Sequence, residues 1–144
     1  MERMRDTVWA IDSRKDKYEN LVDKMREFAE KSFHTKQINH VFKTEIDDSK
    51  RFINPEKRQN IYLIFKEAVT NICKHSGATA VDIYLKQEKG NFILKINDNG
   101  INKQNLKSEG TGLTNIKMGA KSIGFNLKIE NNGGYKIILE KVSK

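Results

Sequence analysis

A carboxylate and a carboxamide four residues apart, Glu67 and Asn71, lie within residues 61–76, IYLIFKEAVTNICKHS. In that segment Ile61, Ile64, Phe65, Ala68, Val69, Ile72 and Cys73 recur at three-or-four spacing, which predicts one helix with a wide apolar stripe. At about 100° per residue, Glu67 and Asn71 fall on the edge of that stripe rather than opposite it. Lys74 and His75 follow on the same edge. Two readings fit such a pair. One is a solvated helix edge. The other is a metal–phosphate site, in which Asn71 lends a carbonyl oxygen to a divalent cation and Glu67 holds a water or takes a proton.

Two later stretches bear on the choice. Asn97, Asp98, Asn99 and Gly100 directly follow the apolar run 92–96. Alone they read as a simple turn. An acid at a strand end also supplies a fixed acceptor for an exocyclic amine in an apolar slot, and Gly100 lets the backbone pass close to a planar base. Gly110, Thr111, Gly112, Leu113, Thr114 and Asn115 then open a second amphipathic helix. Alone they read as a flexible helix start. Backbone N–H donors and the dipole at a helix N-terminus also suit phosphate. A strand-end acid followed by a glycine pair at a helix start is a nucleotide-site layout.

In this order the three stretches resemble the N, G1 and G2 boxes of the GHKL ATPase superfamily. The form EAVTNICKHS is most similar to that of sensor histidine kinases of the NarL-partner type, and the resemblance covers residues 54–144. It implies ATP and Mg²⁺ as cofactors. Asp98 would accept a hydrogen bond from the adenine amine, partly through a water, with Gly100 against the purine. Gly110, Thr111, Gly112 and Leu113 would hold the phosphates, with Asn115 nearby. Asn71 is the expected Mg²⁺ ligand, since magnesium takes few protein oxygens and fills its shell from phosphates and water. Glu67, one turn earlier, would activate or orient an acceptor histidine. Lys74 and His75 would contact phosphate, or else form a basic helix end that complements the dipole. The sequence departs from the family pattern at two places. Asn102 stands where a second G1-box glycine is usual, and Gly133, Gly134 and Tyr135 replace a common Gly-Thr, so no contact is assigned there. Residues 102–109 would form a short lid, in which Lys103 and Lys107 read as solvated.

The bulk numbers agree with a domain of this kind. The chain has 144 residues, enough for one domain with a core. Charged residues make up 32% of it, and no apolar run approaches the roughly 18 residues of a membrane-spanning helix. Nor does an apolar targeting segment follow Met1. The lone Cys73 excludes an intrachain disulfide and is expected to be a buried, inert thiol in a reducing cytoplasm. The net charge of +8 divides into +2 over residues 1–60 and +6 over 61–144, so the excess lies in the half where a polyanion would bind. Its lysines are scattered, without an arginine-rich run or an aromatic platform, which argues against direct nucleic-acid binding.

Positioning these residues takes a series of alternating elements. Residues 1–11 carry a partial helical stripe of Met4, Val8, Trp9 and Ile11, and 12–17 are a charged break. Leu21, Val22, Met25, Phe28 and Ala29 predict a helix over 18–33. Residues 37–46 alternate as a strand. Asn54 as N-cap, Pro55 at the first helical position and Glu56 in the first turn start the central helix, and Gly77 ends it. Strands over 79–87 and 92–97 are joined by a hairpin turn at 88–91. A helix over 112–123 capped by Gly124 and strands over 125–129 and 135–142 complete the chain. The expected fold class is α+β, a two-layer α/β sandwich of the Bergerat (GHKL ATPase) type, with a mixed sheet and helices on one face. Residues 1–35 are expected to be a helical linker from a dimerisation domain plus the first helix, and 36–144 the ATP-binding domain.

The reaction implied is transfer of the ATP γ-phosphoryl group to a histidine on a separate dimerisation domain of the same kinase, with a response regulator downstream. His34 follows a helix end and His40 lies in a strand, so neither sits in the acceptor setting. The whole protein would be a membrane-anchored homodimer with this domain in the cytoplasm. The alternatives are a GHKL anti-sigma-type serine kinase and a non-catalytic nucleotide-binding module.

Overall fold

Side-chain alternation decides which face of the sheet is buried. A computed structural model describes residues 17–48, 51–100, 110–131 and 134–142; of residues 75, 76, 110–113 and 131 only the backbone is described. Along β2 (Ala80–Glu88), Val81, Ile83 and Leu85 are buried, and along β3 (Asn91–Asp98) so are Phe92, Leu94, Ile96 and Asp98. In β5 (Tyr135–Lys141) the buried set is Tyr135, Ile137 and Leu139. The register lines these residues up in rows. Ile83 pairs with Ile96 and Ile96 with Ile137, while Leu85 pairs with Leu94 and Leu94 with Leu139. β4 (Asn126–Asn131) extends both rows with Ile129 and Leu127. A period of two therefore places one apolar residue per strand in each row.

The strand order is β1-β2-β3-β5-β4, with β1 (Asn39–Ile46) parallel to β2 and the other pairings antiparallel. Parallel neighbours need a crossover, and the central helix α2 (Pro55–Asn71) supplies it. β2 and β3 are joined by the two residues Lys89 and Gly90, and Lys89 takes the left-handed φ of 56° that such a tight hairpin demands. The fold is thus a mixed sheet with its helices on one face, as the alternation and connections predict.

α2 packs between α1 (Tyr18–Thr35) and α3 (Gly110–Ser122). From α1 come Leu21, Val22, Met25, Ala29 and Phe33, from α2 Ile61, Ile64, Phe65, Ala68 and Val69, and from α3 Ile116 and Ala120, all in one core. The α2–α3 approach is close because position 119 lacks a side chain: a Cβ on Gly119 would meet Ile64 Cγ1 at 3.2 Å. The start of α2 follows its sequence signals. Asn54 Oδ1 accepts from the N–H of Glu56 at 2.8 Å and of Lys57 at 3.3 Å, with Pro55 beside it.

The end of the central helix differs from a plain helix over 61–76. The α-helical pattern stops at Asn71, and Ile72–Ser76 form a π-helical turn that Gly77 closes at φ 67°. A wider turn shifts the last side chains around the axis, and such turns are frequent at functional sites. Met4, Val8, Trp9 and Ile11, the loop positions Asn102, Lys103 and Lys107, and the turn at 132–133 lie outside the described residues.

Candidate functional site

Asp98 is the last residue of β3 and is 4% exposed. Its Oδ1 accepts two backbone hydrogen bonds, from Gly100 N–H at 2.8 Å and from Tyr135 N–H at 3.0 Å. These fix the carboxylate plane. Its Oδ2 is buried and has no partner among the described residues. A buried carboxylate oxygen without a donor is costly. An arrangement that occupies one oxygen and leaves its twin as an acceptor suits a ligand N–H.

The turn after Asp98 is locked by Asn99, whose functional part the sequence did not reveal. Asn99 Oδ1 accepts from the N–H groups of Thr79 at 2.9 Å and Ala80 at 3.0 Å, and its Nδ2 donates to Thr79 Oγ1 at 2.9 Å. Its own N–H reaches the Ala80 carbonyl at 3.1 Å. The side chain thus ties the end of β3 to the start of β2 and holds Asp98 and Gly100 in register. Gly100 is buried, as a residue against a bound base would be.

Glu67 and Asn71 are both half-buried on the last two turns of α2. Tyr135 joins them from the sheet. Its phenol is pushed up in pKa first by burial; hydrogen bonding to the Asn71 side chain opposes this, and the carboxylates of Asp98 and Glu67 raise it further. The structure therefore brings Glu67, Asn71, Asp98 and Tyr135 to one locus, at the end of α2 and the head of β5. Tyr135 is the residue the sequence reading passed over. Its signal was its place at the head of the alternating series Tyr135, Ile137, Leu139 next to a glycine pair.

The remaining positions fall around this locus. Lys74 is exposed, and the backbone of His75 lies in the π-helical turn. Gly110, Thr111, Gly112 and Leu113 form the first turn of α3, the helix end where N–H groups are unpaired. Thr114 and Asn115 are exposed. Asn115 and Glu67 line one groove between α3 and α2, together with Thr70, Lys66 and Asn60. Cys73 is half-buried; burial raises its thiol pKa, with Lys36 as the smaller opposing influence. No group of three or more His, Cys, Asp or Glu among the described residues is spaced to hold a metal ion. The donor set fits a cation held by one carboxamide oxygen and completed by ligand phosphates.

No protein-family profile matches the chain. Nor does any curated protein match it in sequence. Solved structures do match in shape. Against the Acinetobacter baumannii histidine kinase AdeS the TM-score is 0.65 at 15% identity, over 86% of this chain and 64% of that one. Against the catalytic domain of the histidine kinase ThkA it is 0.63 at 19% identity, over 84% of this chain and 90% of that one. The histidine kinase domain of the Erythrobacter litoralis EL346 blue-light activated kinase gives 0.62 at 15%, over 81% and 58%.

The fold is that of a histidine-kinase catalytic domain. It spans nearly all of the isolated ThkA domain and about three-fifths of the AdeS and EL346 chains. No helix among the described residues is long and apolar enough to cross a membrane.

Proposed function

We propose that this chain binds ATP with Mg²⁺ and supplies the γ-phosphoryl group to a histidine on a separate dimerisation domain. The observation that carries the reading is Asp98, with Oδ1 held by two backbone donors and Oδ2 left as a buried acceptor. That oxygen is suited to the amine of adenine. The first turn of α3 then takes the phosphates on its N–H groups. Asn71 gives one oxygen to Mg²⁺, which when bound offsets charge on the phosphate oxygens. Lys74 and His75, which follow Asn71 in the chain, would contact phosphate. Gly100, Gly110, Thr111, Gly112, Leu113 and Asn115 complete the cofactor contacts.

In the transfer, a ring nitrogen of the incoming histidine bonds to the γ-phosphorus as the bond to the β–γ bridging oxygen breaks and ADP leaves. Glu67, half-buried and open to the α2–α3 groove, holds the proton on the other ring nitrogen. Positioning and electrostatics supply the rest. One of the solved structures of this fold, ShkA, is a complex with AMPPNP, at TM-score 0.62 and 16% identity.

The sequence form EAVTNICKHS supports a NarL-partner type of sensor kinase. In that setting residues 1–35 are the helical linker and first helix, and 36–144 the ATP-binding domain. The partners are the dimerisation domain and a response regulator. The whole protein is a membrane-anchored homodimer with this part in the cytoplasm.

The reading is tested by phosphoryl transfer. The chain is mixed with the dimerisation domain of its own kinase and γ-labelled ATP with Mg²⁺. Acid-labile, alkali-stable label on that domain is expected, lost with Glu67→Gln at unchanged ATP affinity. Label on serine instead favours the serine-kinase alternative, and absence of label on any acceptor while ATP binds favours a non-catalytic module.

A further inference from the structure

The two edges of the sheet differ. β1 and β4 are its outermost strands. On β1, Arg26 of α1 donates to the Phe42 carbonyl at 2.9 Å and to Thr44 Oγ1 at 3.3 Å, with its guanidinium 4.6 Å over the Phe42 ring. That side chain stands in the way of an incoming strand. β4 pairs with β5 on one side only, and no side chain among the described residues bonds its backbone. An edge left open in this way is a template for another strand. The apolar rows also stop short here. Ile137 and Leu139 of β5 are fully buried, whereas their β4 neighbours Ile129 and Leu127 are only half-buried. Beside them runs a groove of about 410 Å³, floored by Ala120, Phe125, Leu127 and Ile129, with the exposed Lys117 and Lys121 of α3 along its bank. These lysines lie on the flank of α3 turned away from α2, since Asn115 and Gly119 line the α2 side.

We propose that the β4 edge is a docking site for an extended acidic segment of a partner protein, which adds as a sixth strand with glutamate side chains facing the groove. Backbone hydrogen bonds to β4 supply affinity, and the side chains that enter the groove supply selectivity. The spacing fits. Lys117 and Lys121 are one helical turn apart, about 6 Å along the axis, and side chains at i and i+2 of a strand are about 6.7 Å apart. Two inward glutamates therefore lay their methylenes over Leu127 and Ile129 and bring one carboxylate to each lysine. Lys128 is exposed on the opposite face of β4, where it favours an acidic neighbour and opposes a basic one. Charge also disfavours a second copy of this chain, because pairing β4 with itself brings the two Lys117–Lys121 banks together. The site lies across α3 from the α2 groove and does not depend on the nucleotide reading.

The test is fluorescence anisotropy of the chain with a labelled peptide of about eight alternating glutamate and valine residues, long enough to span the six residues of β4. Saturable binding is expected at neutral pH and low salt, falling as salt screens the lysines. The amide resonances that shift should be those of residues 126–130, with those of β1 unmoved. Lys117→Glu/Lys121→Glu should weaken binding at least about tenfold, as reversal of two rim charges does. Both lysines are exposed, so its melting temperature should stay level. If it falls, Lys117→Gln/Lys121→Gln decides instead, with a loss of about threefold expected. A peptide of the same composition with its glutamates and valines in two blocks should bind more weakly, and an alternating lysine–valine peptide should not bind. No binding by the folded chain overturns the proposal. So do equal binding of the blocked peptide, affinity indifferent to the lysine substitutions, and shifts that spare β4. Sedimentation as a dimer through β4, with no room for the peptide, overturns it in favour of a second copy.

Discussion

Gly134 passes over the carbonyl oxygen of Asp98 so closely that a Cβ at position 134 would collide with it. The approach is what lets Tyr135 N–H reach Asp98 Oδ1, so the head of β5 and the acid at the end of β3 are set by one contact. Gly134→Ala is expected to push β5 away from β3 at this end. It should cost about 1–3 kcal/mol of stability, as overpacking does, read as a lowered denaturant midpoint. It should also weaken ATP-analogue binding by more than Gly124→Ala, because nothing lies within 4 Å of a Cβ at 124. The φ of 73° at Gly124 makes that control a backbone-strain change away from the site.

Asn99 supplies a second test of how Asp98 is held. Its side chain makes three hydrogen bonds to residues 79 and 80 while remaining exposed. Asn99→Ala is expected to cost about 1–2 kcal/mol, less than three full bonds because water replaces part of each. Amide exchange should quicken at Thr79 and Ala80, the two N–H groups it caps, and remain slow at Ile83 and Leu85 in the middle of β2.

Cys73 is expected to be slow to alkylate. Burial raises its thiol pKa, and its Sγ–H lies 3.8 Å from the Ser32 carbonyl. At neutral pH the folded chain should react with iodoacetamide several-fold more slowly than the urea-unfolded chain. Equal rates would mean that the space between α1 and the π-helical turn opens freely.

Asp47 predicts an acid limb of stability. The Lys89 N–H, donating to Oδ2 at 2.7 Å, lowers its pKa most, with the Arg51 side chain adding to this at 3.0 Å. A carboxylate depressed in the folded state stabilises above its unfolded pKa, and that contribution is lost as pH falls through the folded value. The stability of the native chain minus that of Asp47→Asn should therefore shrink as pH drops below the ordinary 3.8 of an aspartate. It should be constant from pH 6 to 8.

The elements were legible in the sequence where one local rule sufficed. The Asn54–Pro55–Glu56 start, Gly77 and Gly124 as left-handed stops, and the matched alternation of β2, β3 and β5 all follow from side-chain type and spacing. The break at Asn71 was not legible. The π-helical turn comes after all but two of the apolar residues that set the periodicity of 61–76, so that spacing does not mark it. Within the site, Glu67, Asn71, Asp98 and Gly100 stood out by type and position. Asn99 did not, because an asparagine in a turn ordinarily bonds its own backbone, whereas this one reaches back 19 and 20 positions. Tyr135 did not because an aromatic at the head of a buried strand reads as core. Only the tertiary placement of Asn71 and Asp98 around it reveals a buried hydroxyl in a polar locus.

The nucleotide reading stands or falls on Asp98 Oδ2 as the acceptor for a nucleotide amine. The most direct measurement is calorimetric titration of a non-hydrolysable ATP analogue, with and without Mg²⁺, into the chain, Asp98→Asn and Asn71→Ala. Asp98→Asn keeps an Oδ1 acceptor for Gly100 and Tyr135 but replaces Oδ2 with a donor. Micromolar to sub-millimolar binding is expected for the chain, with at least about a thirtyfold loss in Asp98→Asn, from removing an acceptor and opposing two donors. Asn71→Ala should retain base binding and lose the Mg²⁺ dependence. No binding by the folded chain at millimolar analogue, or full affinity in Asp98→Asn, would contradict the account.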